Sequence, residues 1–249
     1  MPELPEVEVV KKSLEKEITN LSIKSIKIKD GNLRYKVKRQ DIYKIKGLKI
    51  KKIKRRSKYL LIFLSNDFII IVHLGMTGKF FIKKKNKSKQ KTSFYYNLQN
   101  GQEEKHDRLI FYLSKETKLI YNDVRKFGFI TLCSKRKVFE NKHIKKLGPE
   151  PFDRNFNLDY FVKYINGKKR VIKDLLMDQK FVSGLGNIYV NEILFFSNIN
   201  PKRKISNLKE FELLQIIRNI KKVLKKAILF GGSTIRDFKS SSGKIGEFQ

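Results

Sequence analysis

The hydrophobic period changes once along this chain, and that change limits the folds open to it. From about Leu21 to Cys133 the apolar residues arrive in short β-branched and aromatic runs, among them LSIKSIKIK, YLLIFL, FIIIVHL, KFFIKKK, RLIFYL, KLIYN and FGFITLC. Runs of this length, separated by turn formers such as Ser65-Asn66-Asp67 and Asn100-Gly101, read as strands, and several at short intervals imply a sandwich or barrel. Beyond about residue 154 the apolar residues fall three or four apart, in FNLDYFVKYI, KKRVIKDLLMD, NIYVNEILFFSNI and NLKEFELLQIIRNIKKVLKKAILF. That spacing predicts amphipathic helices, the last closed by Gly231-Gly232. The expected fold class is α+β: a leading helix plus β-sandwich domain over 1–133, a linker over 134–153 punctuated by GPEPFD, and an all-α domain over 154–249. The KKKNKSKQK run at 83–91 reads as a solvated loop.

The opening MPELPEVEVV supports two readings. Leu4, Val7, Val10, Leu14 and Ile18 recur at helical spacing, and Pro and Glu both suit a first helical turn. Yet Pro2 directly follows the initiator Met, which is usually trimmed before a small residue or proline. Trimming leaves a secondary amine that is partly neutral at cellular pH, since α-amino groups titrate near ~8 against ~10.4 for lysine. Such an amine can attack a carbonyl-level carbon, and Glu3 beside it can give or take a proton.

Charge narrows the partners. The 249 residues include 57 Lys and Arg against 24 Asp and Glu, a formal +33, which favours a polyanion and above all nucleic acid. An A·T-rich genome would also enrich Lys, Ile and Asn and inflate this figure. Cys133 is the only cysteine, so an intrachain disulfide and a cysteine-built zinc site are excluded from this chain. The polar start carries no signal peptide, and apolar runs such as 68–72 are too short to span a bilayer. A soluble, intracellular protein in a reducing compartment is expected.

Four stretches carry candidate chemistry. RRSKYLL sets Arg55, Arg56 and Lys58 ahead of a strand, as a basic strand end or a functional one. HLGMTG puts Met76 between glycines, where it is a core edge or a wedge between bases. NDVRKFG places Arg125, Lys126 and Phe127 in a strand-joining loop. SGLGNIYVNE puts Asn187 near a helix start, as a plain cap or at a phosphate-binding terminus.

Taken in order, MPELPEVE, RRSKYLL, HLGMTG, EKHD, DVRKFG, LGPEP, LLMDQ, GLGNIYVNE and GGSTIRDF closely resemble the bacterial formamidopyrimidine-DNA glycosylase (Fpg) family, which repairs oxidised guanine. The resemblance runs end to end, and Leu4 favours this purine branch over the sibling family for oxidised pyrimidines, which typically has Gly there. It implies that Pro2 is the nucleophile, that Glu3 assists sugar-ring opening, and that Lys58 donates a proton during strand cleavage. The family flips its target out of the duplex. Met76, Arg125 and Phe127 would fill the gap, with Arg125 facing the orphaned cytosine. His106, Lys126, Lys169 and Asn187 would hold phosphates, and Gly232, Ser233 and Thr234 would close over the flipped base. The second domain would be a helix-two-turn-helix module. The implied partner is double-stranded DNA with oxidised bases or abasic sites, met by a monomer in the bacterial cytoplasm at the nucleoid, with no membrane partner. Family members continue into a four-cysteine zinc hairpin bearing a phosphate-gripping arginine. This sequence ends at Gln249 without them, so zinc and other cofactors are not expected in this chain, and a non-catalytic DNA-binding derivative of the enzyme is the alternative reading.

Overall fold

The computed structural model describes residues 1–84, 87–91 and 104–232, the side chains of 87–91 excepted. Helix α1 (Leu4–Ile18) leads into β1 (Ile23–Ile28), α2 (Arg39–Ile45), β2 (Ile50–Arg56), β3 (Tyr59–Leu64), β4 (Phe68–His73), β5 (Lys79–Lys84), β6 (Lys87–Lys91), β7 (Asp107–Leu113), β8 (Thr117–Asn122) and β9 (Phe129–Ser134). Four helices follow: α3 (Leu158–Ile165), α4 (Ile172–Met177), α5 (Asn187–Phe196) and α6 (Glu210–Leu229). The strands form two antiparallel sheets, ordered β1-β7-β8-β5-β6 and β2-β3-β4-β9.

Side-chain alternation divides β3 and β4 between two cores. Leu60, Ile62, Leu64, Ile70 and Val72 face the sandwich interior together with Val7, Val10, Leu14 and Ile18 of α1. Leu61, Ile69 and Ile71 face the other way, where Val138 and Ile144 cover them. The stretch read as a linker therefore packs onto a sheet face instead of hanging free. Leu4 departs from the rest of its helix face, because it is buried in the core formed by α3 to α6. One helix thus roots its first turn in the helical core and its remaining turns in the sandwich.

Two local expectations fail. The region read wholly as strands contains α2, whose seven residues bury only Ile45, too few for a helical period to stand out. The KKKNKSKQK run is not a simple loop: Lys87–Lys91 pairs with β5, Phe81 opposite Lys91 and Ile82 opposite Gln90. A lysine-rich strand at a sheet edge is a usual guard against edge-to-edge association, and it lacks the alternation that marks a half-buried strand.

Leu4 is fully buried, so Leu4→Ala should cost about 2–5 kcal/mol, read as a lowered urea midpoint. Because the side chain belongs to the helical core, amide protection should fall in α5 and α6 as well as in α1. Loss confined to α1 would contradict this placement.

Candidate active site

The site is assembled where α1, the β2–β3 turn and the start of α5 meet. Glu3 is the N-cap of α1, and its carboxyl reaches across to α5, accepting from the Ile188 N–H at 3.0 Å and the Tyr189 N–H at 3.5 Å. Gly186 makes this approach possible, since a Cβ there would lie 2.4 Å from Glu3 Cδ. The adjoining Leu4 N–H donates to the Gly184 carbonyl at 3.0 Å. The GLGN stretch is therefore a seat for Glu3 and Leu4, and Leu4 is a core residue whose side chain bears on domain packing.

This arrangement corrects the reading of Asn187 as the helix cap. It is the first residue of α5, and the N-cap is Gly186. The N–H groups of Ile188 and Tyr189 serve Glu3, and Asn187 is exposed.

Glu3 is 3% exposed, and burial pushes its carboxyl up to about 7, opposed by the Lys58 charge and the two backbone donors and reinforced by Glu6. At neutral pH it is therefore divided between acid and carboxylate. Glu6 is fully buried. Its carboxyl accepts from the Glu3 N–H at 2.8 Å and from the Tyr189 hydroxyl. Gly232, at φ +103°, packs so close that a Cβ would stand 3.0 Å from Glu6 Oε1. Its companions Ser233 and Thr234 lie outside the described residues.

Lys58 occupies the β2–β3 turn, where Arg56 pairs with Tyr59 and Ser57 takes a left-handed φ of +55°. It is 7% exposed. Burial lowers its ammonium pKa, while Glu3 and Glu6 pull it back up. A charge clamp holds the turn. The Ser57 N–H donates to Glu150 Oε1 at 2.6 Å, Arg55 bonds Glu150 Oε2 at 2.6 Å and the Ser57 carbonyl at 3.0 Å, and Arg56 bonds Glu150 Oε1 at 2.9 Å. Arg56 also donates to Ser183 Oγ at 2.7 Å and the Gly148 carbonyl at 2.6 Å. Burial would raise the Glu150 pKa, but Arg55 and the bonds from Ser57 and Arg56 outweigh it and hold the group low. Gln179 links the turn to the GLGN seat by accepting from Ser57 Oγ at 3.3 Å and the Gly184 N–H at 2.8 Å. Arg55 and Arg56 are thus structural, and the surface strand end expected for them is instead a partly buried junction.

The three void-filling candidates come together from two loops. Asp123, fully buried, accepts from the Thr77 hydroxyl at 2.5 Å and the Gly128 N–H at 2.8 Å, and Thr77 Oγ1 accepts from the Arg125 N–H at 3.0 Å. Gly75 lets the loops touch, since a Cβ there would stand 2.4 Å from the Gly128 nitrogen. Met76 and Phe127 remain exposed, 39% and 47%, and the Arg125 guanidinium lies 4.7 Å from the Phe127 ring.

The remaining phosphate candidates differ in freedom. Lys169 is exposed between α3 and α4. Lys126 pairs with Asp30 at 2.7 Å, an acid it shares with Arg108 at 2.9 Å. His106 sits just ahead of β7, its pKa lowered by burial and then by Arg108, Lys105 and Lys79. Sequence reasoning missed Glu6, Asp123, Glu150 and Gln179 as parts of the site. Glu150 and Asp123 fall inside motifs quoted for their neighbours, and only the third dimension reveals what they bind.

Two family models match: the formamidopyrimidine-DNA glycosylase N-terminal domain over residues 1–130 and the H2TH domain over 147–239. The formamidopyrimidine-DNA glycosylases of Rickettsia massiliae (strain Mtu5) and of Wolbachia sp. subsp. Brugia malayi (strain TRS) are 39% and 38% identical, over 100% of this chain and 84% and 86% of theirs. Among solved structures, the Lactococcus lactis Fpg bound to abasic-site DNA superposes with a TM-score of 0.84 at 35% identity, over 99% of this chain and 87% of that one. The L. lactis protein with N7-benzyl-Fapy-dG DNA gives 0.84 and 35%, over 100% and 87%. All of these are DNA glycosylases. The chain belongs to the formamidopyrimidine-DNA glycosylase family.

Glu3 ionises near 4.5 when unperturbed and near 7 in the fold. The folded state binds its proton more tightly, so ionisation is a cost to folding that is absent below pH 4.5, grows up to about pH 7 and is constant beyond. The shift amounts to about 3 kcal/mol. Glu3→Gln should therefore gain stability over the parent by about that much as urea unfolding moves from pH 4.5 to 8, and a pH-independent difference would contradict the shift.

Proposed function

We propose that this chain excises oxidised purines, 8-oxoguanine and formamidopyrimidines, from duplex DNA and then cuts the strand at the abasic site. The single observation that carries the reading is Glu3: a buried carboxyl beside Pro2, poised near neutrality and facing Lys58. The relatives' names and the abasic and Fapy-dG DNA held by the L. lactis protein support the substrate class.

With Met1 removed, the Pro2 nitrogen attacks the sugar carbon that bears the damaged base, and the glycosidic bond breaks as the base departs. Ring opening places electron density on the sugar oxygen, which takes the Glu3 proton, and the nitrogen's lone pair completes the iminium. That iminium acidifies the neighbouring sugar C–H, so the phosphates leave by successive β and δ eliminations. Lys58, kept by burial nearer to losing its proton than a surface lysine, serves as proton donor there. Met76, Arg125 and Phe127 occupy the space of the flipped nucleotide, replacing lost stacking and offering donors to the opposite base. His106, Lys126, Lys169 and Asn187 position the backbone.

A zinc hairpin of the family's kind needs four thiolates, and the sequence given has one cysteine. No step above runs through a metal. Among the described residues no helix is long and apolar enough to cross a membrane, in keeping with action on chromosomal DNA in the cytoplasm.

Glu3→Gln should lower single-turnover excision of 8-oxoguanine opposite cytosine by about 100-fold or more, the range of a lost general acid. Its affinity for a duplex carrying a stable abasic analogue should stay within about threefold of the parent, because Gln still accepts from Ile188. Full excision by the variant would remove Glu3 from the reaction.

A further inference from the structure

Within reach of the Lys58 charge lies a basic cluster around His73 and His143 that the reaction above does not use. His143 packs its ring 4.6 Å from Phe129 of β9, 5.4 Å from Tyr35 and 6.1 Å from Tyr59 of β3. His73 of β4 stacks on the same Phe129 at 5.6 Å and lies 5.0 Å from Tyr59. The charges bearing on His73 are those of Lys58, Arg34 and His143, and those bearing on His143 are Lys142 and Arg34. Every one is a cation or an imidazole. Among the described residues none of Arg34, Lys58, Lys142, His73 and His143 forms an ion pair, and Lys142 instead covers the Tyr35 ring at 4.6 Å. Arg34 is exposed and His143 half-exposed, so the cluster opens to solvent.

Lys58 has the Glu3 and Glu6 charges beside it, but Arg34 and Lys142 converge on His143 with no acid paired to either among the described residues, and a bound anion would recover the cost of gathering them. We propose that Arg34 and His143 form a phosphodiester subsite that extends the basic track from Lys58 and His73, with His143 gripping the DNA phosphate as the imidazolium. The proposal rests on the reading of duplex DNA as substrate. In the free protein burial and then the Lys142 and Arg34 charges lower the His143 pKa. An arriving phosphate reverses the sign of the local field, so binding takes up a proton. Arg34 supplies a donor fork suited to phosphate oxygens.

The test is fluorescence anisotropy of the 249-residue chain on a duplex carrying a tetrahydrofuran abasic analogue, at pH 6 and pH 8 across a salt series. Glu3 also titrates over this range, so the readout is the difference between the parent and His143→Phe, which keeps a ring against Phe129. His143→Phe should bind about tenfold more weakly than the parent at pH 6 and within about twofold at pH 8. Its salt slope at pH 6 should fall by about one, the signature of one lost phosphate contact. Arg34→Gln should weaken binding at both pH values and lose the same slope. Equal pH dependence in parent and His143→Phe, with duplex binding intact, would overturn the subsite alone. A parent that does not bind the duplex at all would overturn the proposed function and the subsite with it.

Discussion

A single buried carboxyl joins the two halves of this molecule. Glu3 caps the first helix, and its side chain ends on the first turn of α5, in the helical core. The helix terminus favours the ionised form, while burial at 3% exposure favours the neutral one. Burial wins, but only as far as neutrality. The Lys58 charge is the strongest of the effects that oppose burial, and the two α5 donors add to it. The junction that fixes domain geometry is the same one that tunes the proton.

Around that junction the protein spends charged side chains on positioning. Glu150 gathers Arg55, Arg56 and the Ser57 N–H into a compact clamp around Ser57, whose backbone takes a conformation that favours glycine, next to the buried Lys58. Buried ion pairs of this kind are weak stabilisers against an apolar replacement, but losing one partner is severe. Their value here is geometric. Asp123 does the same for the loops carrying Met76, Arg125 and Phe127, which become one unit through Thr77 and Gly128.

Much of this fold was legible from periodicity, because a half-buried strand and an amphipathic helix each print their period on the sequence. The expected strands and the four later helices formed where runs such as FIIIVHL and NLKEFELLQIIRNIKKVLKKAILF predicted them. The seven-residue α2 and the lysine edge strand β6 stayed hidden, since neither buries enough side chains to set a pattern. At the site, Pro2 beside Glu3 raised a chemical question, but their pairing with Lys58 came from resemblance to a family. Asn187 looked like a helix cap because Asn commonly is one. The actual partner of that helix start lies 185 residues away in sequence, and no local pattern encodes it. Glu150 and Asp123 were overlooked for the same reason: an acid among bases reads as solvated surface until its partners are seen.

The most direct measurement is borohydride trapping of the folded chain, with Met1 confirmed absent by mass spectrometry, on a duplex carrying 8-oxoguanine opposite cytosine. The account predicts a covalent adduct that maps to the Pro2 nitrogen. A trimmed, folded chain that binds the duplex yet yields no adduct, or yields one on Lys58, would contradict it.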